Sequence, residues 1–276
     1  MTVVERTEIL DPGPAEGLAG LLGVPVPDLD TGLPLLWHTV YLLDRPRQEL
    51  LGPDGHPATG GMPTPPGPGL RRMFAGGRVR TNGALRCGEP ATRRTRVVRT
   101  VEKSGRTGPL TFVTVAHEIT QRGTLVVTEE QDIVYRPPAT TIGPPPVEAV
   151  EELEEVPQPG SAWRVSTTPT LLFRYSAMTY NAHRIHYDRD YTRDVEGYPG
   201  LVVHGPLQAL LMAEAARRDW AGVPGDRVFG YRLLAPLFDG SPLTVRAMHE
   251  DNDQVTSVHD ASGRRTATGR LSGGAA

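Results

Sequence analysis

Residues 175–188, YSAMTYNAHRIHYD, and 196–218, EGYPGLVVHGPLQALLMAEAARR, decide how the rest of the chain is read. In the second stretch Leu207, Leu210 and Leu211 fall on one face at helical spacing, and Pro206 suits a first helical turn, so a helix is expected over 206–218. Glu214 lies on that same apolar face, where a charge is costly without a partner; its i+4 neighbour Arg218 is the expected one. Just upstream stand Asn181, His183, His186 and His204, and Gly205 opens the helix. Imidazole moves protons near neutral pH, and free N–H groups at a helix start can hold a developing oxyanion. The stretch therefore suits acid/base work on a carbonyl compound.

Outward from this point the chain alternates helix and sheet. Residues 162–166 and 170–175 read as strands and 181–198 as a polar connection; after the helix, strands are expected over 227–237, 243–250, 254–259 and 264–271. The first half shows the same order. Residues 33–43, LPLLWHTVYLL, read as a buried helix ending near Pro46, and 96–101, 110–119 and 124–136 as antiparallel strands, the last two joined by a turn at Arg122-Gly123. Trp37 and Phe74 read as core or loop anchors. Residues 52–69, GPDGHPATGGMPTPPGPG, hold six Gly and six Pro, which makes a long surface loop of a kind that often binds ligands. Residues 137–160 carry seven Pro and five Glu and read as a linker. The expected organisation is an N-terminal domain over 1–136, this linker, and a C-terminal domain over 161–276.

Composition sets the outer bounds. The 276 residues are 38% hydrophobic and 22% charged, too apolar for disorder and long enough for a substantial core. A net charge of -3 without a basic stripe speaks against nucleic acid. Cys87 is the single cysteine, so no intrachain disulfide forms and a cysteine-built zinc site is excluded. An acidic amino terminus and the lack of a long apolar run point to no signal peptide, no membrane span and a cytoplasmic location. Arginine supplies 28 of the 29 basic residues, a bias that suggests a GC-rich bacterial genome.

The histidine stretch resembles the hydratase motif of MaoC-like enzymes, in which an aspartate, an asparagine two residues on and a histidine three further precede a glycine-opened central helix. His186 matches the family histidine and Gly205 the helix-start glycine; Asn181 stands in the place of the aspartate and His183 in that of the asparagine. An amide exchanges no proton, so the family's carboxylate role does not carry over. The whole pattern is similar to a narrower group of mesaconyl-C4-CoA hydratases, itaconyl-CoA hydratases and fungal hydroxyacyl-thioester dehydratases. Residues 35–38 (LLWH), 52–57 (GPDGHP) and 71–78 (RRMFAGGR) extend the likeness through roughly residues 30–270.

The resemblance implies an α+β double hotdog, two antiparallel sheets each wrapped around a helix and joined into one. It implies hydration or dehydration of a 2-enoyl thioester, carried on CoA or an acyl-carrier protein, with a short dicarboxylic acyl group such as mesaconyl the favoured substrate. A fatty-acid or polyketide dehydratase, a thioesterase and a non-catalytic acyl-binding subunit are the competing readings. His186 is the expected acid/base, with Gly205 as oxyanion donor, Asn181 orienting water and His183 as reserve proton carrier. Tyr175, Arg184 and His204 are expected on the substrate. His204 also suits helix-cap architecture, and Arg174 or Arg184 suits a substrate carboxylate. Arg71, Arg72 and Arg78 are expected at the site mouth, toward CoA phosphates. His183 and His186 with Asp188 lack a clear further ligand, so neither metal nor cofactor is expected, and a homodimer is the assembly the resemblance allows for.

Overall fold

The computed structural model describes residues 2–67, 69–105, 108–137, 162–219 and 227–273. Apart from Pro137, the segment read as a linker lies outside the described residues. Strand β1 (Val3–Ile9) opens the chain and is followed by helix α1 (Pro12–Leu22). Asp11 caps α1 by accepting from Gly13 N–H, Pro12 starts it, and Gly23 in the left-handed region ends it. Four strands then follow: β2 (Arg71–Thr81), β3 (Pro90–Gly105), β4 (Gly108–Gln121) and β5 (Thr124–Arg136). The second half repeats the plan. Strand β6 (Ala162–Val165) precedes helices α2 (Pro169–Met178), α3 (Arg189–Asp194) and α4 (Gly205–Asp219), and β7 (Arg227–Leu233), β8 (Leu243–Glu250), β9 (Asp253–His259) and β10 (Arg265–Gly273) follow.

All ten strands form one antiparallel sheet in the order β1-β3-β4-β5-β2-β7-β10-β9-β8-β6. Read outward from its centre the order is the same in both halves, with β2 and β7 meeting at a pseudo-two-fold seam. The expected double hotdog is the observed fold. At the seam Gly76 faces Arg232 and Gly77 faces Tyr231, and pairing there covers two edges that would otherwise template aggregation. Helix α4 lies across β8, β9 and β10 and reaches β2 and β7, so the helix expected at 206–218 is the core of the second half. Its Glu214 is buried and pairs with Arg217 at 2.6 Å; the expected Arg218 is the more distant partner at 3.7 Å.

Several local expectations fail for physical reasons. Residues 33–43 form no α-helix. Leu36 and Leu42 take positive φ on either side of a single 3-10 turn, Trp37–Val40, and the run is apolar because it is buried. The helix of the first half is α1, which packs against α2 and that turn. Residues 170–175 are helical rather than extended: Thr168 accepts from Leu171 N–H as the cap and Pro169 opens α2. Neither β1 nor β2 was expected. The arginines and paired glycines of β2 conceal a strand whose ladder partners are β5 and β7.

The first half also buries a polar cluster. His38 from the 3-10 turn lies 3.1 Å from Glu129 on β5, and Gln131 donates to the other carboxylate oxygen at 3.0 Å. Burial opposes ionisation of Glu129, yet the hydrogen bond and charge of His38 prevail and hold its carboxyl down at about 2.

Candidate active site

A cavity of about 1750 Å³ runs between the two halves and reaches the start of α4. Its catalytic end is built by the polar connection between α2 and α4. Helix α2 stops at Thr179, Tyr180 takes a positive φ, and the Asn181 side chain accepts from His183 N–H at 3.0 Å, closing a tight turn. A 3-10 turn over Arg184–His186 then carries His186 into the interior. There its Nδ1 lies 2.7 Å from the Val202 carbonyl oxygen. A carbonyl only accepts, so Nδ1 carries the proton and Nε2 keeps a free lone pair.

Four imidazoles meet at this point. His186 stacks on His204 with ring centroids 3.6 Å apart, meets His183 edge-on at 5.4 Å, and His183 in turn contacts His56 at 4.2 Å. All four are pushed toward the neutral form. Burial is the main cause; Arg72 adds to it for His56, His183 and His186, and the neighbouring histidines do so for His204. For His186 the value falls to about 4, so at neutral pH it is an unprotonated base.

His204 is buried, bonds Ser176 Oγ through Nε2 at 2.8 Å, and has its carbonyl as the first acceptor of α4, from Gln208 N–H. His204 itself does not line the cavity, which corrects its expected place on the substrate; it joins helix-cap architecture to a stacking contact behind His186. The next residue, Gly205, lines the cavity, and among the described residues its N–H donates to no protein group. A Cβ on Gly205 would stand 3.1 Å from the Phe74 ring, which lets the helix start press directly on β2. Tyr175 is buried, lines the cavity and stands edge-on to His204 at 4.9 Å.

The loop over 52–57 supplies a residue that sequence reasoning did not single out. Arg184 N–H donates to the Asp54 carbonyl at 2.8 Å, the Arg184 guanidinium donates to the Pro53 carbonyl at 3.0 Å, and Asp54 Oδ1 accepts from His56 N–H. These bonds seat His56 on His183. The only signal in the sequence was a lone histidine in the GPDGHP run. Arg184 does not line the cavity: its guanidinium is held by Asp188 at 2.7 Å and by the loop, which corrects its expected place on the substrate. Arg174 does not line the cavity either. Of the three arginines expected at the mouth, Arg71 is engaged by Glu196 at 2.9 Å, Arg78 pairs with Glu130 away from the cavity, and Arg72 faces the histidines.

The arrangement sets a neutral base with a fixed tautomer beside an unengaged helix-start amide, which is what water exchange next to a thioester carbonyl requires. Residues 36–239 match the model of the family described as hydroxyacyl-thioester dehydratase type 2. The chain belongs to that family. Within the family it is 50% identical, over 80% of its length and 76% of the relative's, to mesaconyl-C(4)-CoA hydratase of Chloroflexus aurantiacus. It is 39% identical to the mitochondrial hydroxyacyl-thioester dehydratase type 2 of Schizosaccharomyces pombe over 32% of this chain and 29% of that one. The fold matches HtdX of Mycobacterium tuberculosis with a TM-score of 0.68, 15% identity and coverage of 99% and 100%. Like other members of the family, the chain is a hydro-lyase of acyl thioesters. No cluster of potential metal ligands occurs among the described residues, and none of their helices is long and apolar enough to cross a membrane.

Proposed function

We propose that the chain hydrates an α,β-unsaturated dicarboxylic monothioester of CoA, of the mesaconyl-C4 type. The 50% identity to a mesaconyl-C4-CoA hydratase over most of both chains carries this reading. His186 Nε2 takes a proton from water as the oxygen bonds to the β-carbon. The electron pair of the double bond moves onto the thioester oxygen, where Gly205 N–H and the positive end of α4 hold the enolate. The imidazolium then returns its proton to the α-carbon, so one group serves both steps and the reverse sequence removes water. Asn181 orients rather than ionises, since its carboxamide closes the turn that places His183. His183 and Tyr175 shape the wall around the base, and His204 backs it from behind.

The domain organisation belongs to the same reading, with hotdog modules over 1–136 and 161–276 joined by 137–160, as does a cytoplasmic bacterial enzyme that uses CoA thioesters. The test is a panel of enoyl-CoA substrates with and without a distal carboxylate. Loss of enoyl-thioester absorbance without thiol release supports hydration. Thiol release would point to a thioesterase, and no turnover of any member to a non-catalytic subunit.

A further inference from the structure

Seven arginines line the cavity, and five of them have carboxylate partners: Arg6 and Arg93 on Asp44, Arg45 on Glu8, Arg47 on Glu49, and Arg71 on Glu196. Among the described residues Arg72 has none. Asp54, which also lines the cavity, makes no ion pair with it and is engaged by His56 N–H. Arg136, the other lining arginine without an ion pair among the described residues, stands opposite Arg71 rather than beside Tyr135.

Arg72 on β2 is directly opposite Tyr135 on β5, and cross-strand partners share a face of the sheet. The Tyr135 side chain is buried at 1% exposure beside the Arg72 guanidinium, and among the described residues its O–H donates to no protein group. A buried hydroxyl and a cation side by side are both donors in search of an acceptor. Around them the nearby histidines are held neutral, and the Asp54 carboxylate, close enough to act on Tyr135, makes no ion pair with Arg72. A carboxylate satisfies both donors: its two oxygens take the guanidinium fork and have a lone pair left for the phenol.

We propose that Arg72 and Tyr135 form the receptor for a second carboxylate carried on the β-carbon of the thioester substrate. The proposal rests on the hydratase reading above and names what selects the substrate at that same site. With the thioester oxygen on Gly205 N–H and the carboxylate on Arg72, the double bond is held at both ends. The carbon that receives water is then fixed relative to His186 Nε2. A neutral alkyl group in the same place leaves a cation and a hydroxyl desolvated and unmet, which is a strong basis for rejection.

The test compares kcat/KM for mesaconyl-C4-CoA with that for 3-methylcrotonyl-CoA, which keeps the β-methyl group and has a second methyl in place of the carboxylate. Arg72→Gln is expected to lower the ratio of the two by on the order of 100-fold and Tyr135→Phe by about tenfold. Arg72→Lys keeps the charge but loses the fork, and an intermediate fall is expected; it also serves if the Gln variant does not fold. A ratio left unchanged, with both substrates impaired equally, would assign Arg72 to the CoA phosphates and overturn the proposal. So would a wild-type preference for 3-methylcrotonyl-CoA, while leaving the hydratase reading intact. If the wild type hydrates neither substrate, that reading fails and calorimetry still decides the receptor. A preference for succinyl-CoA over butyryl-CoA that Arg72→Gln abolishes supports it, and equal affinity for the two overturns it.

Discussion

At the scale of single residues, the proposed chemistry rests on His186, whose surroundings leave it one available form. The Val202 carbonyl fixes the tautomer and burial removes the charge. His186→Ala is expected to lower kcat by on the order of 100-fold or more with little change in substrate affinity, measured on a variant whose circular dichroism matches the wild type. The same burial predicts acid sensitivity. The folded-state pKa values of His56, His183, His186 and His204 lie below their unfolded value of about 6.5, so the unfolded chain binds more protons as pH falls. Stability from these groups is complete above about pH 6.5 and drains as pH drops toward the folded value of about 4 for His186. That ring alone accounts for on the order of 3 kcal/mol. Denaturant midpoints that stay flat between pH 7 and 5 would contradict this. Glu129, held at about 2, contributes through the opposite kind of group and loses its stabilisation only as pH falls below the usual carboxylate range toward 2.

Most of this residue-level picture was legible in the sequence where the parts are close together. Asn181, His183, His186, His204 and Gly205 stand within 25 positions, and their spacing carried the chemistry. His56 was not legible as a member of the site, because it comes from more than 100 residues upstream and arrives through loop docking; Arg72 was expected at the mouth, but its place facing the histidines follows only from sheet pairing.

Among the elements, the loop over 52–57 shows how a segment without regular structure becomes a precise wall. Gly55 has φ of +87°, and a Cβ there would lie 1.8 Å from the Ala182 carbonyl oxygen. Only glycine allows the loop to lie against the turn that carries His183. Gly55→Ala is expected to unseat His56 and cut kcat/KM on the order of 100-fold while leaving the sheet intact, read from activity beside an unchanged far-ultraviolet spectrum. Full activity would mean that the loop is not part of the working site. Elsewhere, element type was misread where apolar runs were short. Residues 170–175 suit strand and helix equally by hydropathy, and the deciding marks were Thr168 and Pro169 just outside the run. The stretch over 33–43 misled in the other direction, since full burial gives an apolar run whatever the backbone does.

In the whole molecule, ten strands share one hydrogen-bonded sheet, and its centre depends on the close approach of β2 to β7 and β5. At Gly76 a Cβ would stand 2.4 Å from the Tyr231 carbonyl oxygen, next to the register shift between Phe74 and Gly76. The wild type is expected to melt in a single transition. Gly76→Val should cost about 3 kcal/mol and split or broaden that transition as the halves uncouple, which differential scanning calorimetry would detect. A sharp melt at the wild-type temperature would show that the seam does not couple them.

The pseudo-two-fold plan was visible in the sequence as a repeated order of elements, although the halves share no obvious identity. What the repeat did not reveal is how unequally they contribute. The His186 ring and the Gly205 amide come from the second half, whereas Arg72, Tyr135 and His56 come from the first. On the proposed reading, diet and chemistry are written in separate residues. A change at Arg72 or Tyr135 retunes which acid is accepted and leaves the base and the helix amide of the second half in place.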